Sequence, residues 1–516
     1  MKHDKNVRLP SLFESTLPIL TMVGLMIYVF IFAKDGDESL YDAAHLPLIC
    51  GIIVAFLVGL RCGNSIRDMI DGMIDRIKST LDAILILLTV GLLISSFMIS
   101  GTIPALIYYG LNFLSPKLFL PIGCVITALV SVSCGSSWTA TATIGIAFMT
   151  IGQGLGINPA ITAGMVISGA YVGDKFSPLS DTTNLAAGVA KTGLFDHVTA
   201  MISTTGPVFL LSLILYSLIG LKAHILNYDA NVADGIKETL ASNFNLNPLV
   251  LLPILLIIFV CILKIEGLAG VMISVLVGII FSLIFQKQRN LAEIFSILHY
   301  GPDITTGNDF VDKALAKGGM DNQMWTVNLI ILAVSFGGVL ERSGIIERLF
   351  AHLKEKINSV AGLVFLTMFT SICCDATMCD QFLGIGIPAP LYEDKYDELG
   401  LSRNMLSRTL EDAGTLWAVM FSWTACGAYQ MKTLGVSPIN FFPFAYVNLL
   451  NPIYALLTAA FKRNIFWADG SYTNLFGKTK LKTMAKAPEE VRLVAIKKLE
   501  NLRNEGTVPQ ISWNKQ

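Results

Sequence analysis

The sequence predicts an all-α polytopic membrane protein. It is read as two inverted repeats, each with about five transmembrane helices, a re-entrant hairpin and a discontinuous helix. Three observations predict this. The 516 residues are 53% hydrophobic and only 15% charged, with a mean hydropathy of +0.63, where a soluble domain carries roughly 25% charged residues. The chain repeats itself. A polar, proline-broken stretch, Gly173-Asp-Lys-Phe-Ser-Pro-Leu-Ser-Asp-Thr-Thr-Asn184, stands between two apolar runs.

The repeat shows as matches in order. Leu17-Pro-Ile-Leu20 recurs as Leu252-Pro-Ile-Leu255, and Asn64 as Asn290. Ser100-Gly-Thr-Ile-Pro-Ala-Leu106 is similar to Ser343-Gly-Ile-Ile-Glu-Arg-Leu349. Ser133-Cys-Gly-Ser-Ser137 is similar to Cys373-Cys-Asp-Ala-Thr377, and Asp174 falls near Asp412. The offsets run from 226 to 243. They divide the chain into a first repeat (1–225), a linker (226–247), a second repeat (248–461) and a basic tail (462–516).

In the first repeat, apolar spans fall at 13–33, 45–60 and 81–99. A pair of shorter runs, 118–132 and 139–151, follows. A broken span at 159–191 and a last span at 198–221 complete it. The second repeat offers 249–263, 268–285, 325–340, a pair around 374–381, a broken span at 410–429 with its break at Glu411–Thr415, and 441–461. Each run of the pair is shorter than the ~20 residues a spanning helix needs, which predicts a re-entrant hairpin. The number of crossings per repeat is then odd, so tandem repeats face opposite ways.

Most of the 37 Lys and Arg residues fall in segments that this topology places on the side of the N-terminus. The positive-inside rule then puts both termini in the cytoplasm. No small-residue cleavage pattern precedes 13–33, which reads as a retained span. Gly301–Asn322 is an insert of the second repeat. The tail carries an amphipathic helix, with Pro488, Glu489 and Glu490 at its start, Val491, Val494, Ala495 and Leu502 near one face, and Gly506 past its end.

Composition also excludes. A net charge of −1 gives no field for nucleic acid. Nine Cys, an odd number and mostly within apolar runs, argue against a disulfide framework. Cys373, Cys374 and Cys379 read as small hydrophobes rather than metal ligands. There is no phosphate-binding P-loop, nucleophile elbow or HExxH helix, so neither an ATP-driven pump nor a membrane hydrolase is supported. The chain is read as no enzyme, with no cofactor. The His residues lie at span edges, and none has metal-ligand spacing.

Charge at membrane depth is expensive and marks ion or substrate pathways. Irregular backbone there must be covered by protein or line a wet cavity. The first break holds Asp174, Ser177, Asp181, Thr182 and Asn184 within eleven residues. A cation needs oxygen ligands, which hydroxyls, unwound carbonyls and a carboxylate supply. Asp174 and Asp181 are the expected Na⁺ ligands, and one carboxylate open to a proton or a cation suits exchange. Lys175 either pairs with a nearby Asp or snorkels. Ser136 and Ser137, at the first hairpin tip, face the break. The second repeat offers Thr377 and Asp380 at its tip, and Asp412 and Thr415 at its break. Glu411 is expected to face an internal vestibule, and the core segments carry no Arg.

These residues resemble a known family. The stretch from Gly173 to Asn184, with Ser136-Ser-Trp-Thr-Ala140, Gly318-Gly-Met320, Trp325 and Gly337-Gly338, is similar to the NhaC family of bacterial Na⁺/H⁺ antiporters from about residue 13 to 461. The resemblance implies a sodium-coupled secondary transporter of the inner membrane, working by alternating access with Na⁺ and H⁺ as its ions. It also implies an alternative, Na⁺- or H⁺-coupled transport of a small organic acid or amino acid of the malate/lactate exchange type, since such members share the core. A homodimer and the surrounding lipid bilayer complete the expected partners.

Overall fold

The computed structural model describes residues 7–33, 45–226, 230–263, 267–286, 290–351, 357, 359–481, 489–506 and 508. The start of the chain, its last eight residues and Pro488 lie outside them. The protein is almost wholly helical. In order come α1 (Leu12–Ala33), α2 (His45–Arg61), α3 (Ile66–Ile99), α4 (Thr102–Phe113), α5 (Pro116–Cys134) and α6 (Ser137–Ala140). A π turn (Thr141–Gly145), α7 (Ile146–Gly154), α8 (Pro159–Phe176), α9 (Asp181–Val189) and α10 (Leu194–Leu226) follow. The linker folds as α11 (Ala230–Asn243). Then come α12 (Leu252–Ile262), α13 (Gly267–Phe285), α14 (Leu291–Tyr300), α15 (Asp309–Leu315), α16 (Met324–Arg342), α17 (Ile345–Ala351) and α18 (Val360–Met378). The chain continues through α19 (Gln381–Gly386), α20 (Pro388–Glu398), α21 (Arg403–Leu410), a π turn (Glu411–Thr415), α22 (Leu416–Ala418), α23 (Ala425–Leu434), α24 (Pro438–Phe441) and α25 (Tyr446–Ala460).

Among the described residues, seven helices are long and apolar enough to cross a membrane, or nine if each bent pair counts as one span. The first hairpin arms are longer than the apolar runs of the sequence. The helices α5 and α18, at 19 residues each, qualify as spans by length. Ser133 and Cys134, and Ala376 and Thr377, continue these helices instead of ending them.

Capping places the repeat more sharply than residue identity. Ser115 and Ser359 stand at the N-cap positions of α5 and α18, and Ser359 accepts from the Gly362 N–H. Gly135 (φ 65°) and Cys379 (φ 60°) end them in the left-handed region. Ser136 and Asp380 cap the helices that follow, Asn158 and Ser402 cap α8 and α21, and Ser180 and Thr424 cap α9 and α23. Every pair is 244 residues apart. In this register Asp174 faces Ala418 rather than Asp412, and the second break is Val419–Thr424. Glu411–Thr415 is a continuous π turn, because its residues keep helical backbone and pack against α18 and α19.

The two units clasp reciprocally. The post-break helix α9 packs on α19 of the second unit, and α23 packs on the π turn Thr141–Gly145 and on α7 of the first. Tyr429 of α23 stacks on Trp138 at 4.5 Å between ring centroids and donates to the Trp138 carbonyl at 3.0 Å.

Beyond α25 the tail forms a small antiparallel sheet, β1 (Ile465–Phe466), β2 (Ser471–Thr473) and β3 (Thr479–Leu481), which the sequence reading did not anticipate. Its strands are too short to show an alternating pattern. The tail helix, α26 (Glu489–Asn504), buries Ala495 and Leu499, and Gly506 follows it at positive φ.

Candidate functional site

Close helix packing sets the site's depth. Gly169 and Gly173 press α8 onto α5, and an added Cβ would stand 2.5 Å from the Cys124 carbonyl oxygen and 2.3 Å from that of Ala128. Only small residues permit this approach. One residue on, Asp174 reaches the hairpin tip, where its Oδ2 accepts the Ser137 N–H at 3.1 Å. Gly135 brings the tip against the break: its positive φ suits glycine, and a Cβ there would lie 2.8 Å from the Leu179 carbonyl carbon.

Between tip and break lies a cavity of about 50 Å³, lined by Ser136, Ser137, Asp174, Ser180, Asp181 and Thr182, with Gln381 and Phe382 of the second unit closing it. A water needs roughly 10–15 Å³ by this measure. The space suits a small cation with a few waters. Asp174, Ser137, Ser180 and Thr182 are buried, and Asp181 is exposed. Four hydroxyl side chains, with Asp181 and Gln381, stand around the buried Asp174 carboxylate, and oxygens of this kind are what a hard cation prefers.

Other expected site residues fall elsewhere. Ser177 donates to the Val132 carbonyl at 2.7 Å. Asn184, exposed, donates to the Pro178 and Ser180 carbonyls and braces the break. Thr377 bonds back to the Cys373 carbonyl. Asp380 caps α19 by accepting from the Phe382 N–H at 3.1 Å, which places it beside the cavity wall. The hydroxyl of Thr415 is buried without a hydrogen-bond partner.

Asp412 forms a second centre. Its Oδ1 accepts from Lys175 Nζ at 2.7 Å, Asn451 Nδ2 at 2.8 Å and Thr204 Oγ1 at 3.2 Å. Lys175 and Asp412 are both wholly buried. Lys175 thus pairs across the two units, neither with a neighbour nor by snorkelling. Glu411 is also wholly buried, with no hydrogen-bond partner on either oxygen, rather than facing a vestibule. It adjoins Lys175, Thr182 and Thr415. The core does hold Arg: Arg408 is completely buried one helical turn before Asp412. His197 is buried against Ser407 rather than at an interface.

Sequence reasoning left Phe382, Asn451 and Thr204 out of the site, and read Gln381 at the second tip rather than at the first unit's cavity. Asn448 and Asn451, three apart in an apolar helix, were a readable signal. Phe382 carried none, since only the clasp brings it and Gln381 to the first unit's cavity.

A broken-helix, oxygen-lined site at the junction of two related units defines a secondary transporter of the membrane. The chain belongs to the Na⁺/H⁺ antiporter family, which it matches over residues 9–183 and 169–463. It is 37% identical to the Na⁺/H⁺ antiporter NhaC of Alkalihalophilus pseudofirmus, over 85% of this chain and 94% of that one. It is 32% identical to the malate-2H⁺/Na⁺-lactate antiporter of Bacillus subtilis, over 86% and 94%. It is 34% identical to the arginine/ornithine antiporter ArcD of Halobacterium salinarum, over 87% and 91%. It is a multi-pass membrane protein.

Proposed function

We propose that this protein exchanges Na⁺ for H⁺ across the bacterial inner membrane, with both termini cytoplasmic, by alternating access between inverted repeats. The observation that carries the reading is the cavity at Asp174, whose size and oxygen lining suit a small cation. Asp174 and Asp181 supply the charge that balances Na⁺, and Ser136, Ser137, Ser180 and Thr182 supply neutral oxygens. A protonated acid cannot offer charge to a cation, so Na⁺ and H⁺ compete for Asp174. Lys175, one residue on, keeps its charge on Asp412 and off the cavity. The work is transport, with no cofactor.

Proteoliposomes with a pH dye inside test this. An imposed Na⁺ gradient alone is expected to move protons, with apparent Na⁺ affinity rising with pH. Proton movement that requires an added organic acid or amino acid overturns the reading in favour of coupled organic transport. That second reading is supported by relatives named for malate/lactate and arginine/ornithine exchange.

A further inference from the structure

Arg408 heads the fully buried side chains by volume. Its Nε stands 3.7 Å from Asp412 Oδ2, and that oxygen accepts no hydrogen bond. A buried guanidinium this close to a free carboxylate oxygen normally closes into a short, often bidentate pair. Here it is held off. Nη1 donates to the Asn464 carbonyl at 2.8 Å and to Ser203 Oγ at 3.2 Å. The guanidinium carbon lies 5.6 Å from the centroid of the Phe466 ring, which holds a cation by its π face. Asn464 and Phe466 begin the tail sheet, just past residue 463 where the family match ends.

The sheet is itself anchored. Ser402 N–H donates to the Phe466 carbonyl and Ala468 N–H to the Gly400 carbonyl. Asn464 Nδ2 donates to the Ser203 carbonyl, and Tyr472 donates to Asn464 Oδ1. The tail helix backs it, with Arg503 on Asp469 and Ser471.

We propose that the C-terminal sheet is a clamp that holds Arg408 away from Asp412 and so reserves Asp412 for Lys175. Asp412 is the carboxylate both cations face. With the clamp closed, Lys175 has it. With the clamp loosened, Arg408 loses the Asn464 carbonyl and the Phe466 ring and turns to Asp412. Arg408 takes the open Oδ2 and shares the single negative charge of Asp412, which weakens the hold on Lys175 at Oδ1 and lets its ammonium lean toward Asp174 and Glu411, where it opposes a cation in the cavity. The tail therefore tunes sodium affinity. The other charged or titratable groups facing this cluster are Tyr396, Tyr454 and Tyr472 around Arg408, and His197 near Lys175. The inference rests on the Na⁺/H⁺ reading above.

Full-length Phe466→Ala and Arg503→Ala, in proteoliposomes, test it through the Na⁺ concentration for half-maximal proton flux. Phe466→Ala is expected to raise that concentration about tenfold while the maximal rate stays within about twofold, a loss of binding rather than of turnover. Arg503→Ala, which loosens the sheet from behind, shifts it less in the same direction. Adding Arg408→Gln to Phe466→Ala returns it to near the parent value, because no second cation then competes for Asp412. An unchanged concentration in Phe466→Ala, a lowered rate alone, or no rescue by Arg408→Gln overturns the clamp. A parent without Na⁺-driven flux overturns the proposed function itself.

Discussion

In the first unit the left-handed turn at Gly135 is followed by Ser136 and Ser137, and in the second unit Cys379 is followed by Asp380 and Gln381. The first break carries Asp174, Lys175 and Asp181. The second, Val419–Thr424, carries Phe421 and Trp423 and no charge. Charge in the second unit sits earlier, in the π turn at Glu411 and Asp412. What the two units share is what a backbone needs: polar N-cap residues at matched helix starts and a left-handed residue where an arm reverses. What differs is the chemistry of ions. Similar local backbone thus holds, in one place, a cavity with carboxylate and hydroxyl oxygens and, in the other, an uncharged break covered by Trp423, whose Nε1 donates to the Ala376 carbonyl.

The largest effect should separate the two units' carboxylates. Asp174→Asn is expected to abolish Na⁺-driven proton flux, while Asp380→Asn retains most of it, since Asn caps a helix about as well as Asp. Equal loss in both variants would place the second tip inside the ion site. Next comes the pair that joins the units. Lys175→Met takes away the close cation of Asp412 and leaves only Arg408, 3.7 Å from Oδ2, and thermal unfolding should show a cost of about 3–5 kcal/mol. Adding Asp412→Leu should recover most of that stability. Failure to recover would show that Asp412 matters to folding through Asn451 and Thr204 instead.

The packing contrast is testable at one register. Gly384 of the second unit matches Ala140 of the first, but a Cβ at Gly384 would lie 1.9 Å from Asp375 Oδ1. Gly384→Ala is expected to destabilise by about 1–3 kcal/mol through overpacking. The caps sharpen the comparison further. Ser180→Ala and Thr424→Ala should each cost about 1 kcal/mol of stability, yet only Ser180→Ala should weaken Na⁺ affinity, because only Ser180 lines the cavity. The smallest effect concerns the tail. Burial raises the Asp469 carboxyl, but bonds from Ser471 and Arg503 outweigh it and leave it below its ordinary value. Its contribution to docking is present above the unfolded pKa of about 3.9 and is lost as pH falls through the folded value. Proteolysis of the tail should quicken only in strong acid, and Arg503→Ala should remove that dependence.

The amino-acid sequence by itself determined the membrane class, the first break and most of the cavity. Hydropathy is additive along the chain, and the stretch from Asp174 to Thr182 is local, so neither needs a partner to be read. Residue matches suggested offsets of 226 to 243, whereas the caps recur 244 residues apart. Identity at Asp412 outweighed the caps, and caps declare themselves only once helices have ends. Tertiary structure alone decided the rest. It set Lys175 on Asp412, brought Gln381 and Phe382 to the other unit's cavity, and buried Arg408 under the tail sheet. Each of these joins residues roughly 60 to more than 200 positions apart. Such pairings follow from how helices clasp, which sequence spacing does not encode, because a buried charge takes whichever partner packing brings within reach.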